Sequence, residues 1–502
     1  MAGSEASTGR FPLKPIPIAI GGAIFLGLLL LPAPGGLSPE GWSVVAVAAL
    51  MIVWWMTEAI PVPATALAPI ALLPILGAIS TTQATSPYGD PIIFLFMGGF
   101  VLALAMERCN LHRRVALNIV ARTGSQQDRI VGGFMVATAF ISMWVSNTAT
   151  AVMMLPVAVS VAGLMKGGEG SARFSLSLML AIAYAASIGG VATLIGTPPN
   201  ALLAGALNQS YGYDLGFARW MIIGVPVAAV MLLAAWILLT RITLRLERGE
   251  IADARALFQK ELHALGPWSQ AEVRVALVFV VTASAWMFRT LLDDYVPGLN
   301  DTSIAIAAAL ALFLIPSGEA KGGALVDWDT AKRLPWDVLI LFGGGLSLAA
   351  AVTRTGVDDW IGSLIGVAAS PLPLIGIVVV VALTVLVLTE FTSNTATAAA
   401  FIPLLAALAV NLGENPLLLT VPAALAASMA FMLPVATPPN AIVFGSGFVT
   451  IPQMARQGFW LNVAAVAVIS TLAYGLMVTL FGVTVGALPE WAAPAAGAVG
   501  QP

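Results

Sequence analysis

Charge is what this chain has least of. Asp, Glu, Lys and Arg make up 9% of its 502 residues, against roughly 25% in an ordinary soluble domain. Cysteine occurs once and histidine twice. A single Cys109 excludes an internal disulfide and any Cys-rich metal site. His112 and His263 fall in polar connecting stretches, where solvated surface positions are expected rather than ligand roles. No Walker-type phosphate loop occurs, and Ser446, between two glycines, has no intramembrane histidine to activate it. A membrane-embedded hydrolase would lack its acid–base pair, so the chain does not read as an enzyme.

What fills the sequence instead is apolar: 59% of it, in runs long enough to cross a hydrocarbon core. About eleven transmembrane helices are expected, at about 16–32, 42–58, 60–79, 91–107, 172–208, 216–240, 272–290, 302–315, 336–352, 417–446 and 458–482. The fold class is therefore an all-α polytopic membrane protein. Residues 1–15 form a short polar head, and the run after it lacks a small-residue cleavage site, so it reads as a retained helix. The thirteen Trp residues, Trp54, Trp55 and Trp268 among them, fit interface belts better than a binding cage.

Two further apolar stretches, at about 130–165 and 371–411, are too long for one span and too short for two. Each carries polar residues at its middle: Ser142-Met143-Trp144-Val145-Ser146-Asn147-Thr148 in the first, Thr389-Glu390-Phe391-Thr392-Ser393-Asn394-Thr395 in the second. Polar side chains at bilayer depth are costly and mark function by default. Two re-entrant hairpins fit, each entering and leaving by one face. Charge checks the count independently. With Arg10 and Lys14 inside, the cytoplasmic loops collect 19 of the 22 Lys and Arg, leaving Arg219, Arg289 and Arg354 outside. Counting either hairpin as a full span spoils that split. The N-terminus is then cytoplasmic and the C-terminus external.

The chain also repeats itself. Phe96-Met97-Gly98-Gly99 before Arg108 matches Phe342-Gly343-Gly344-Gly345 before Arg354, at an offset of 246. The two Ser-Asn-Thr tips follow, and then Gly196-Thr197-Pro198-Pro199-Asn200 matches Ala436-Thr437-Pro438-Pro439-Asn440. In the expected topology the copies run in opposite directions, an inverted repeat whose sites meet near the midplane. Two successive prolines in mid-span must break a helix, leaving free carbonyls on one side and free amides on the other. Carbonyl, hydroxyl and amide oxygens suit a hard cation such as Na+; amides at helix N-termini suit a carboxylate. Pro and Ser/Thr also kink many membrane helices without binding anything, but four motifs in two inverted copies weigh against that bland reading.

No charge occurs between Ile130 and Met165, between Phe174 and Tyr213, or between Leu417 and Ala455. A dianion there would face no Lys or Arg, and desolvating two negative charges without partners is expensive. Co-bound cations supply the compensation, so a neutral polar site implies cation-coupled anion transport. Glu390 is the one charge in the second hairpin; it either compensates a cation or holds a structural partner, and the second reading is favoured. The basic stretch 108–129 reads equally as an interfacial helix or an ordinary positive-inside loop.

These motifs resemble the divalent anion/sodium symporter family, the Na+-coupled transporters of dicarboxylates, citrate and sulfate. The match runs from about residue 40 to 482 and includes Thr57-Glu58-Ala59-Ile60-Pro61. The resemblance implies one Na+ site near Ser142, Ser146, Asn147 and Gly196, and a second near Thr389, Thr392, Asn394 and Ala436. It implies substrate carboxylates meeting Ser146, Asn147 and Thr148 on one side and Ser393, Asn394 and Thr395 on the other, beside Thr197, Pro198, Thr437 and Pro438. It further implies a homodimer working as an elevator in a bacterial inner membrane. A scaffold (16–107 and 272–352) would hold the dimer, and a mobile part (130–247 and 371–482) would slide. Arm helices at 108–129 and 353–370 would link the two, with a cytoplasmic loop at 248–271 and a tail at 483–502. The expected function is Na+-coupled uptake of a C4-dicarboxylate such as succinate, malate or fumarate. A Na+-independent exchanger, or a symporter of citrate or sulfate, stands as the alternative on the same fold; a channel is a more distant one.

Overall fold

The computed structural model describes residues 14–165, 168–247, 249–251, 253–293, 295–318, 322–361, 364 and 373–493. Among these the chain is helical, and the only β pairing is two isolated bridges, Gln126 with Glu250 and Pro316 with Ala324. That is the expected outcome for apolar segments in a bilayer, where each backbone group must be satisfied within its own segment. Among the described residues, eight helices are long and apolar enough to cross a membrane: Pro39–Thr57, Thr81–Arg108, Glu169–Val191, Phe217–Ile242, Gln270–Met287, Trp336–Arg354, Asn394–Asn411 and Ile451–Leu480. A difference from hydropathy lies at the third expected span. Residues 60–79 form two short helices, Val62–Thr65 and Ala68–Ile75, each with a proline in its first turn, Pro63 and Pro69, and Pro74 lies inside the second. Each proline removes a backbone donor, and the apolar count does not register this.

Both central polar tips lie where one helix stops and another starts. The first pair is Gln127–Ser142 and Asn147–Ala162; the second is Leu374–Thr389 and Asn394–Asn411. The two Thr-Pro-Pro-Asn motifs interrupt their helices as expected. Glu169–Val191 gives way to Pro198–Tyr211, and Leu417–Ala427 to Pro438–Gly445. The apolar window of Glu169–Val191 is wholly buried, so this helix is the axis against which the first pair packs. The two Phe-x-Gly-Gly copies meet directly, Phe96 and Phe342 standing edge to face at 5.1 Å.

Several expectations about single residues are corrected. His112 is buried, not solvated, and its Nδ1 lies 3.0 Å from the Met106 carbonyl. Trp55 is core rather than belt, like Trp220 and Trp286, and each of the three donates its indole N–H to a backbone carbonyl. Trp268 is exposed, as a belt residue should be. The basic stretch contains a helix, Leu111–Ala121, and the loop expected at 248–271 contains another, Ala254–Ala264. The two are tied together by Arg113 and Glu261 at 2.8 Å. Arg114 is buried against Glu272, with Nε donating to Oε1 at 2.6 Å and the guanidinium also bonding the Leu265, Gly266 and Pro267 carbonyls. Of the expected second arm, 353–370, residues 353–361 and 364 are described and the others lie outside the described residues.

Candidate functional site

The break geometry of each copy is set by local chemistry. Ser146 and Ser393 sit at the N-caps of the second helix in each pair and accept from the amides of Ala149 and Ala396. Thr197 and Thr437 take extended backbone ahead of their prolines, with φ of −147° and −141°, as a residue before proline must. Behind each break stands an asparagine. The Asn200 amide donates to the carbonyls of Gly190, Val191 and Thr193, and the Asn440 amide to those of Ala430 and Leu433. Both are fully buried, so these side chains replace the backbone donors that the broken helices lack. Their Oδ1 atoms have no partner.

A cavity of about 880 Å³ opens between the two copies. All ten expected substrate contacts line it: Ser146, Asn147, Thr148, Thr197, Pro198, Ser393, Asn394, Thr395, Thr437 and Pro438. Of the expected cation ligands, Gly196, Thr392 and Ala436 line it as well. Ser142 and Thr389 do not; they are fully buried one layer behind. Four helices begin at the cavity wall, at Asn147, Pro198, Asn394 and Pro438. Their dipoles favour negative charge there. The free amides expected at the Thr-Pro-Pro-Asn breaks are not there, because two prolines carry no N–H. The next amide is engaged in both copies, Asn200 N donating to Thr197 O and Asn440 N to Thr437 Oγ1.

The oxygens behind the tips stand close together in both copies. Ser142 Oγ lies 2.6 Å from Asn147 Oδ1 and 2.7 Å from the Ala186 carbonyl. Thr389 Oγ1 repeats this, 2.6 Å from Asn394 Oδ1 and 2.9 Å from the Ala427 carbonyl. One hydroxyl proton serves one acceptor at a time. The first copy goes further: a Cβ placed on Gly190 would meet Asn147 Oδ1 at 2.6 Å and the Gly196 carbonyl at 2.9 Å. Only glycine fits there, because the Asn147 amide, with Nδ2 at 3.1 Å, and the Gly196 carbonyl pack directly against it. Thr392 differs from the rest. Its hydroxyl is engaged with the Leu388 carbonyl at 2.9 Å and with Thr397 at 2.7 Å, which leaves one lone pair of that oxygen, besides its main chain, for a cation.

Glu390 is held structurally. Its carboxylate accepts from the amides of Phe431, Met432 and Leu433 and from Asn462 Nδ2 at 2.7 Å. It thereby fixes the unwound stretch before Thr437. In the first copy the job falls to Thr193, whose hydroxyl donates to the Met143 carbonyl and accepts from the Gly196 amide.

Residues distant in sequence complete the rim: Lys14, Thr57, Glu58, Pro335 and Asp337. Contrary to the expectation of no cation near the anion path, Lys14 borders the cavity. It is engaged there, with Nζ donating to the Thr57 carbonyl at 3.0 Å and lying 4.0 Å from Glu58. No pattern in the local sequence links 14, 58 and 337; only the fold does. A second cavity, bordered by Asp214, Arg289 and Asp301, holds an ionic clasp. Arg289 reaches Asp214 at 2.9 Å and Asp301 at 3.5 Å, and Asp301 Oδ2 accepts from the Phe217 amide at 2.7 Å.

The chain has relatives among known proteins. Residues 16–482 match the family described as sodium:sulfate symporter transmembrane region. The chain is 43% identical over 481 residues to the sodium-dependent dicarboxylate transporter SdcS of Staphylococcus saprophyticus, covering 94% of this chain and 92% of that protein. It is similar to the same degree and extent to SdcS of Staphylococcus aureus strain USA300. Among solved structures, the Alcanivorax borkumensis YdaH transporter shares the fold with a TM-score of 0.56 at 15% identity, over 86% of this chain and 98% of that one. Neisseria gonorrhoeae MtrF gives 0.54 at 13% identity, over 92% and 95%.

Proposed function

The chain belongs to the divalent anion/sodium symporter family, a family of transporters rather than enzymes, and from that premise we propose that it couples Na+ entry to the uptake of a C4-dicarboxylate. The observation that carries the reading is the doubled oxygen cluster behind the tips, in a cavity whose one bordering lysine is already engaged. Cations held by Ser142, Ser146, Asn147 and Gly196 in one copy, and by Thr389, Thr392, Asn394 and Ala436 in the other, would supply the positive charge a dianion needs. The carboxylates would then meet Ser146, Asn147 and Thr148 on one side and Ser393, Asn394 and Thr395 on the other. Thr197, Pro198, Thr437 and Pro438 complete the walls. The shared fold of the two copies' motifs, each with its own tip, break and buried asparagine, supports an inverted repeat. The relatives named as sodium-dependent dicarboxylate transporters favour a dicarboxylate over citrate or sulfate.

In this reading the cavity, rimmed by Lys14, Glu58 and Asp337, faces the cytoplasm, and the Asp214–Arg289–Asp301 clasp closes the outside. Transport by an elevator follows: 130–247 and 371–482 slide against 16–107 and 272–352, carrying the site from one side to the other, in a homodimer held by the scaffold. Radiolabelled succinate uptake into proteoliposomes tests the coupling. An inward Na+ gradient should drive accumulation in vesicles empty of dicarboxylate. Uptake indifferent to Na+ but dependent on internal dicarboxylate would make the protein an exchanger instead.

A further inference from the structure

We propose that the groove between the arm helix Leu111–Ala121 and the first helix pair binds an anionic glycerophospholipid from the leaflet on the Lys14 side. A cavity of about 540 Å³ is lined there by Ile119, Thr123, Arg129, Val136, Leu233 and Trp236. It has two unlike ends. At one stands Arg129, with Arg122 next in sequence to the lining Thr123; both arginines are exposed, and among the described residues neither is paired with a carboxylate. Arg241 close by is different: it is committed to Asp128 at 2.6 Å and stacks over Trp236 at 5.5 Å. At the other end Val136 and Leu233 are 51% and 56% exposed, continuous with Phe140 and Val230. Val136 follows Arg129 by seven residues on one helix, so the groove runs about 10 Å from its charged end into the apolar one.

The floor is built to stay open. A Cβ on Gly132 would approach Trp236 Nε1 to 3.1 Å, and the indole N–H is held by the Asp128 carbonyl at 2.9 Å. The polar edge of Trp236 therefore lies at the headgroup end and its ring faces the groove, the usual placement at a membrane interface. Two unneutralised arginines above an apolar trough fit a phosphate head with an acyl chain below it. A soluble anion would leave the trough unfilled, and a zwitterionic lipid would leave the arginine pair uncompensated. The groove lies where the arm meets the first helix pair, so a chain wedged in it would stiffen that joint. The inference rests on membrane embedding alone, and its failure would leave the transport reading untouched.

Native mass spectrometry of the full-length protein, equilibrated with phosphatidylglycerol or phosphatidylcholine in detergent, tests it. Phosphatidylglycerol should be retained preferentially. An arginine near an anionic headgroup is worth roughly fivefold, so Arg122→Gln with Arg129→Gln should lower that retention about thirtyfold. Leu233→Trp, which fills the trough and leaves both arginines in place, should reduce retention as well, and glycerophosphate should not compete. Equal retention of the two lipids, retention unchanged in both variants, or full competition by glycerophosphate would each overturn the proposal; the last would mark a free-anion site, and the second a groove covered by a second copy of the chain.

Discussion

At Ser142 and Thr389 one hydroxyl proton faces two oxygen acceptors, and the Asn147 or Asn394 side chain is one of them in each copy. In the proposed reading a cation sits at each of these clusters, which makes the two asparagines the side chains whose loss should cost most. Asn147→Ala and Asn394→Ala are each expected to abolish Na+-coupled uptake while the protein still elutes as a folded species; near-normal uptake by both would show the sites misplaced. Glu390 should behave in the opposite way. Its carboxylate gathers three backbone amides and Asn462 at a buried position. Removing one partner of such a set leaves the others unsatisfied, so Glu390→Ala should cost about 3 kcal/mol of stability in a denaturation series. A Glu390→Ala protein as stable as the parent would refute the structural role. The tips were legible from sequence because hydroxyls and amides in an apolar run have no bland purpose at that depth. The buried Asn200 and Asn440 were legible only as part of a motif. Which carbonyls they hold depends on the path of the unwound backbone.

Among the helices, breaks signalled by paired prolines appear where the residues place them, while spans inferred from apolar length alone do less well. Residues 60–79 show why: hydropathy counts Pro69 and Pro74 as neutral, whereas the backbone cannot. The arm helix was ambiguous in sequence because its basic residues resemble a solvated loop, and it is resolved by partners more than 140 positions away, Glu261 and Glu272. His112 lies on this helix. Burial pushes its pKa below the ordinary histidine value, the Met106 carbonyl opposing and Arg113 adding to the shift. As pH falls through about 6.5 the unfolded chain takes a proton that the native site resists. Stability should therefore decline on acidification across that window, and His112→Gln should flatten the decline in thermal unfolding at pH 8 and 5.5. The Asp214–Arg289–Asp301 clasp makes a separate prediction. In a Cys109→Ser background, an impermeant maleimide should label Leu194→Cys about fivefold faster once Arg289→Gln opens the Asp214 side, the scale of a partly exposed ion pair. An unchanged rate would show that the clasp does not hold that face shut.

Taken whole, the molecule holds an oxygen-rich cavity between two copies of one motif set, with Lys14, Glu58 and Asp337 among its lining residues. Composition already implied that the anion finds little fixed positive charge, since the stretches that form the walls carry no Lys or Arg. What composition did not contain was the rim, because Lys14, Glu58 and Asp337 are joined only by packing. The charge arithmetic also bears on energetics. Two Na+ balance a dianion, and a third would make each cycle electrogenic, worth roughly 2.3 kcal/mol per 100 mV. The claim beneath all of this is that cations create the anion site. Isothermal titration of succinate into the purified protein tests it without any membrane gradient. Binding should be seen in NaCl and lost in choline chloride at equal ionic strength, and saturating succinate should tighten Na+ binding by the same factor that Na+ tightens succinate. Succinate binding of equal affinity in the two salts would contradict the account.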